Sequence, residues 1–269
     1  MISLELTTSK GGHVRKTSGF WVVAISVVLT LGACSSSSKP ATSSTSPSGS
    51  ITVLGASSLT KSFTGLADEF QAAHPGTKIE LSFGSSSDLE TSIEQGAPAD
   101  VYASADQKNM TKLVTAGDNS GAPVNFAKNK LEIAVEKGNP QHIASLADLA
   151  KPGLAVVECD PSAPCGKFTA EVLSNANVKV TPKSLEANVK ATLSKVELGE
   201  ADAAIVYVSD VFSSGKVDGV QIPDNVNVLT TLPIVALKGS KNAALAKAWV
   251  DFVVAHQSEL VSKYGFLAL

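Results

Sequence analysis

The chain of 269 residues is short of charge: Asp, Glu, Lys and Arg make up 17% of it, against about 25% in ordinary soluble domains. Arginine is nearly missing. Of 22 basic residues only Arg15 is an arginine, and the formal net charge is −3. A nucleic-acid binder should carry a basic excess gathered on one face, so that class is excluded. The three cysteines and four histidines offer little for a metal centre. His74, His142 and His256 stand isolated, with no Cys or His at ligand spacing. No apolar run reaches the roughly 20 residues a membrane-spanning helix needs. The nucleophile-elbow string G-x-S-x-G, the P-loop and the dinucleotide fingerprint do not occur either.

What is present begins with an export signal. Lys10, Arg15 and Lys16 precede an apolar run of 14 residues, Phe20 to Ala33, too short to span a bilayer. The run ends in Leu31-Gly32-Ala33-Cys34, which resembles the bacterial lipoprotein box. Residues 1–33 are therefore expected to be removed, leaving Cys34 as the lipid-modified N-terminus. An ordinary signal peptide with an incidental cysteine is the plainer alternative. Residues 34–50 form a tether: Ser35 to Ser50 holds nine Ser, two Thr and two Pro and cannot bury a core. Removing the leader takes away its three basic residues and Glu5, leaving 19 basic and 24 acidic residues, a net charge of −5. Export also bears on Cys159 and Cys165, because disulfides persist outside the cytoplasm. A disulfide between them closes a short ring worth about 2–2.5 kcal/mol on the loop-entropy model; two buried thiols are the alternative.

The folded part starts at about Ile51 and alternates strand and helix. Ile51–Ala56 reads as a strand, and Ser58 as the N-cap of a helix on which Leu59, Phe63, Leu66 and Phe70 recur, stopping at His74-Pro75-Gly76. Lys78–Phe83 and Asp100–Ser104 follow as strands, each leading into a helix. A second set then appears: strands at Leu131–Val135, Leu154–Val157 and Ala203–Tyr207, helices at Ser145–Ala150, Gly166–Ser174 and Asn188–Leu198. A strand at Pro233–Leu237 and helical patterns over Asn242–Tyr264 end the chain. The expected fold is α/β, with parallel βαβ units in two lobes. Lobe 1 is discontinuous, 51–130 with 231–269; lobe 2 is 131–230.

In open α/β sheets, ligands bind beyond the carboxyl ends of strands, where helix N-termini point. Four such junctions carry small or polar residues: Ala56-Ser57-Ser58, Gly84-Ser85-Ser86-Ser87, Pro164-Cys165-Gly166 and the lead-in to Asn188-Val189. Ser58-Leu59-Thr60-Lys61 also matches the S-x-x-K of exported penicillin-recognising serine hydrolases. That family further needs S-D-N and K-T-G, and neither string occurs.

At these junctions the sequence resembles the extracytoplasmic molybdate-binding proteins of ABC transporters, over residues 51–269. The resemblance is carried by residues 51–60 (ITVLGASSLT), 82–89 (SFGSSSDL), 96–106 (GAPADVYASAD), 160–166 (DPSAPCG), 199–210 (GEADAAIVYVSD) and 263–266 (KYGF). It implies a type II periplasmic-binding-protein fold of two lobes, each a mixed, mainly parallel sheet flanked by helices, closing on its ligand by a hinge. It implies no catalysis and no cofactor. The ligand is molybdate or tungstate, its molybdenum held as the oxyanion without direct metal ligation. The implied donors are the hydroxyls of Ser58, Ser86 and Tyr207 and the backbone amides of Cys165 and Val189. Cys165 departs from a common alanine, and Ser57 beside Ser58 leaves open which hydroxyl faces the ligand. The implied partners are a membrane permease and its cytoplasmic ATPase. The protein is expected as a monomer tied by lipid alone to the outer face of the cytoplasmic membrane.

The chemistry is consistent with the composition. Molybdate is a tetrahedral dianion with acceptor oxygens only, so it suits a pocket made of donors and needs no arginine. Each helix N-terminus supplies about half a positive charge, so four offset roughly two units. Hydrogen phosphate would bring a donor of its own and leave it unpaired, at about 1–3 kcal/mol, unless a carboxylate faced it. Sulfate differs from molybdate chiefly in size and stands as the alternative ligand.

Overall fold

The computed structural model describes residues 47–269. The leader at 1–33, Cys34 and the tether up to residue 46 lie outside the described residues. The sheet begins before Ile51: β1 spans Gly49–Ala56, and Gly49 and Ser50 pair with Thr77 and Lys78. These two residues therefore belong to the sheet rather than to the tether.

The strands after β1 are β2 (Thr77–Gly84), β3 (Val101–Ala103), β4 (Asn119–Glu136), β5 (Val156–Cys159), β6 (Ser184–Glu186), β7 (Ala203–Tyr207), β8 (Val217–Gln221) and β9 (Leu229–Leu237). The helices are α1 (Thr60–Ala73), α2 (Ser86–Glu94), α3 (Gln107–Ala116), α4 (Pro164–Asn175), α5 (Val189–Glu197), α6 (Val208–Ser214), α7 (Ala243–Ala255) and α8 (Gln257–Tyr264). The strands run in the order β2-β1-β3-β9-β4-β7-β5-β6, with β8 also paired to β4. At one flank β1 pairs in parallel with β2 and β3; at the other β5 pairs in parallel with β6 and β7. The long strands β4 and β9 join the flanks through antiparallel ladders.

β4 is where the two halves of the sheet meet. Asn119 to Lys130 pair with β9, whereas Leu131 to Glu136 pair with β7 and β8. Its first twelve residues were not expected as a strand, for a visible reason. Register shifts between Ser120 and Val124 and between Asn125 and Ala127 break the alternation that marks a strand. Strands β6 and β8 and helix α6 also go unsignalled. Residues 146–150 form a 3-10 helix, and the long helical pattern near the end is two helices meeting at His256.

Local sequence explains most boundaries. In α1 Phe63, Leu66 and Phe70 fall on one buried face, and the helix stops before Pro75-Gly76, where Gly76 has φ +92°. Asp106 caps α3 by accepting the Asn109 amide at 2.9 Å, and Asn188 caps α5 by accepting that of Ala191 at 3.1 Å. The first half of the sheet packs on aromatic rings: Trp249 meets Phe63 and Phe70 edge-on, at 5.7 and 5.6 Å between centroids. The second half packs on smaller groups, among them Val156, Val157, Val172, Leu193 and Ala203 to Val206.

Candidate functional site

The strand ends and helix starts converge on a small cavity. Its lining includes all five residues expected from the sequence: Ser58, Ser86, Cys165, Val189 and Tyr207. Ser57, Ser85, Ala105, Pro164 and Asn188 line it as well. No charged side chain is among the lining residues.

Each residue arrives by a different local device. Ser58 does not cap a helix, contrary to expectation. Ser57–Leu59 is a 3-10 turn, closed by the Thr60 hydroxyl on the Ser57 carbonyl at 2.6 Å, and α1 starts only at Thr60. The Ser58 hydroxyl is thereby buried without a hydrogen-bond partner. Ser86 is the first residue of α2, with Ser85 as the preceding N-cap residue. Its Oγ accepts the Ala105 amide at 3.0 Å, which leaves its own hydrogen free to donate. The Tyr102 hydroxyl fixes the Ser86 carbonyl at 2.8 Å.

On the other side of the cavity the donors are amides. Pro164 occupies the first position of α4 and has no N–H, so Cys165 offers the first free amide of that helix. Gly166 lets this turn sit directly on β5: a Cβ there would fall 2.1 Å from the Asp160 carbonyl oxygen. The sulfurs of Cys159 and Cys165 stand at bonding distance across a Cα–Cα span of 5.8 Å, tying the same turn to the end of β5. Val189 opens α5, and the Asn188 side chain takes only the Ala191 amide, leaving that of Val189 uncapped.

Tyr207 ends β7 and immediately precedes α6. Its hydroxyl is buried with no partner. Burial above all, with Asp106 and Asp210 nearby, raises the phenol well above its ordinary range, so it stays a neutral donor. The Asp210 carboxylate accepts the Tyr207 amide at 3.2 Å; burial pushes this acid up to about 7. An unpaired buried hydroxyl costs about 1–3 kcal/mol, and here two such groups line one cavity.

The Ser58–Lys61 pair of the hydrolase alternative is not assembled. Lys61 donates its ammonium to the Ser213 carbonyl instead, and Ser58 has no base. His256 has carboxylates near it but no Cys or His, because α8 packs beside α1. Glu69, His256 and Glu259 bring ligand atoms within 4.8 Å of one another. Lys263 Nζ lies 2.9 Å from both carboxylates and supplies the positive charge there. The supporting groups Tyr102, Ala105 and Asp210 were not foreseen, although each lies inside a motif that carries the family resemblance. Membership in those motifs was the available signal, since the contacts of Tyr102 and Ala105 with Ser86 join residues distant along the chain.

Comparison with known proteins agrees with this architecture. Residues 51–267 match the family model described as bacterial extracellular solute-binding protein. The molybdate-binding protein ModA of Mycobacterium tuberculosis H37Rv is 42% identical over 238 residues, 87% of this chain and 91% of that protein. Among solved structures, the Azotobacter vinelandii periplasmic molybdate-binding protein superposes with a TM-score of 0.72 at 21% identity, covering 81% of this chain and 99% of that one. The sulfate-binding protein SubI of M. tuberculosis H37Rv also gives 0.72, at 19% identity, covering 81% of this chain and 86% of its own. At these identities both structures speak to the fold alone. The chain belongs to the family of bacterial extracellular solute-binding proteins that includes the molybdate-binding proteins, and it is an extracytoplasmic binding protein rather than an enzyme.

Proposed function

We propose that the cavity binds molybdate, or tungstate in its place, and that the protein delivers it to a membrane permease driven by a cytoplasmic ATPase. The observation that carries this reading is the pair of partnerless buried hydroxyls, Ser58 and Tyr207, on opposite sides of a cavity with no charged lining. Ser86 adds a third hydroxyl, and Cys165 and Val189 add amides at helix starts. Every one of these groups can donate to an anion oxygen. The starts of α2, α4 and α5 together offset about one and a half negative charges. A fully ionised tetrahedral dianion fits this set, and a protonated oxyanion does not.

The further parts of the reading follow the same logic. The ligand would be enclosed by closure of two lobes, 51–130 with 231–269 and 131–230, about the strands β4 and β9. No cofactor takes part. Cys34 carries the lipid that holds a monomer at the outer face of the membrane, and Cys159 and Cys165 are oxidised to a disulfide in that compartment.

The test is calorimetric titration of the purified mature domain with molybdate, tungstate, sulfate and phosphate. Molybdate and tungstate should bind at least about a hundredfold more tightly than the other two, a gap of roughly 2.7 kcal/mol. Sulfate binding more tightly than molybdate would overturn the ligand assignment.

A further inference from the structure

Lys61 belongs to a motif that suggested catalysis and has no such role here, yet it lies in a position of consequence. It sits three residues after Ser58, on the first turn of α1. Its ammonium reaches the Ser213 carbonyl at the end of α6, the helix that starts directly after Tyr207. A helix leaves its last carbonyls without internal partners and carries the negative end of its dipole there. A lysine is the matching cap for that end. Lys61 and Ser213 also line a second small cavity, which shares Ser57 and Ser58 with the first.

Two more contacts fall at the same end of α6. The Ser213 hydroxyl donates to the Tyr264 carbonyl at 3.3 Å. Phe212 is 57% exposed, but its inner edge presses on Gly265, where a Cβ would stand 2.5 Å from the Phe212 Cβ and Cγ. Gly265 has φ +74°, so it meets both the steric and the backbone demand of the place. The surface that receives α6 is itself braced. Tyr264 lies over Gly65 of α1, where a Cβ would come within 2.0 Å of its hydroxyl. Lys263 ties Glu259 of α8 to Glu69 of α1.

We infer that Lys61, Phe212 and Ser213 are positioning residues of the ligand site, a clasp that holds the segment carrying Tyr207 against the segment carrying Ser58. The inference rests on the reading of the cavity as an oxyanion site between two lobes that close. Neither Lys61 nor Phe212 lines the ligand cavity, so their effect reaches the ligand through α6 and α1. The short α6 makes the coupling direct: fixing its far end fixes the direction of the strand end from which Tyr207 projects. Loss of the clasp should let bound anion escape faster while leaving capture nearly unchanged.

The experiment measures release of radiolabelled molybdate, chased with excess unlabelled molybdate, from wild type, Lys61→Met, Lys61→Arg and Phe212→Ala. Lys61→Met and Phe212→Ala should speed release by about three- to tenfold, with association changed by less than about twofold. Lys61→Arg keeps the charge and the donor and should restore near-wild-type release. Thermal unfolding separates a clasp from static packing: the ligand-free midpoint should move by no more than about 1 °C while the molybdate-bound midpoint falls. Unchanged release in both variants would overturn the inference, as would an equal fall of both midpoints. A wild type that binds none of molybdate, tungstate and sulfate would overturn the reading of the cavity, and the inference with it.

Discussion

The two sides of the cavity expose hydrogen-bond donors by different means. On the side of β1 and β2 the donors are serine hydroxyls, Ser58 and Ser86, each shaped by a turn. On the side of β5 and α5 they are main-chain amides of Cys165 and Val189, whose side chains are immaterial to the donation. The packing behind them differs too, with aromatic rings behind the first and aliphatic side chains beside the adjacent sulfurs of Cys159 and Cys165 behind the second. The difference explains why the first side is specified by residue identity and the second by backbone position. In the Pro-x-Gly turn the amide stays in place whichever side chain Cys165 is exchanged for, provided the helix start is kept. A serine cannot be exchanged so freely.

Ser86→Ala should break the hydroxyl side most severely. It removes a donor to a charged ligand and also strands the Ala105 amide that Ser86 now satisfies. The lost donor should cost about 1.5–3 kcal/mol, or roughly ten- to a hundredfold in affinity for molybdate by calorimetry, and the stranded amide should lower the stability of free and bound protein alike by about 1–3 kcal/mol. The amide side calls for another tool, and Val189→Pro supplies it. Proline is tolerated at the first position of a helix, and the extended Asn188 before it, at φ −160° and ψ 168°, suits a following proline. The substitution deletes one amide and should weaken binding about ten- to a hundredfold while α5 persists by circular dichroism. If Val189→Pro left affinity unchanged, the amide side would not be a donor side.

Tyr207 combines the two sides, since it sits at the end of β7 yet donates through a hydroxyl. Its phenol is buried without a partner, a donor that a bound anion would satisfy under the proposed reading. Tyr207→Phe should therefore have opposite effects on its two measurable properties. Affinity should fall about tenfold, and the ligand-free protein should gain up to about 1 kcal/mol by denaturant titration. A loss of ligand-free stability would mean that the hydroxyl has a partner in solution, and the comparison of the two sides would lose its bridging member.

The donor residues were legible because the signal was local. A Ser-rich turn or a Pro-Cys-Gly turn between a strand and a helix shows itself within five residues, and all five expected donors do line one cavity. The strand–helix alternation was legible for the same reason, through Phe63, Leu66 and Phe70 on α1 and the apolar run of β7. What was hidden depends on contacts distant along the chain. The Ala105 amide meets Ser86 nineteen residues earlier, and Lys61 meets Ser213 across 152 residues. The first part of β4 was hidden by its own irregularity. Ser58 was placed rightly but for the wrong local reason, because a 3-10 turn and a capped helix start look alike in a Ser-Ser-Leu-Thr string.

The smallest predicted effect concerns the carboxylates behind the second side. Asp210 accepts the Tyr207 amide and is pushed up to about 7, from an ordinary value of 3.8, by burial. Burial likewise raises Glu132 and Glu158, on β4 and β5. Between the unfolded and folded values the native state holds more protons than the unfolded one. Stability from this group is therefore fully present below about pH 4 and is lost as pH rises toward 7. Asp210→Asn keeps an oxygen to accept the Tyr207 amide and removes the titration. Thermal unfolding at about pH 6.5 and pH 8 should show wild type losing about 0.8 kcal/mol more than the variant across that interval. Parallel losses in the two proteins would assign the pH dependence to the other buried acids and leave Asp210 as a partner of the Tyr207 amide alone.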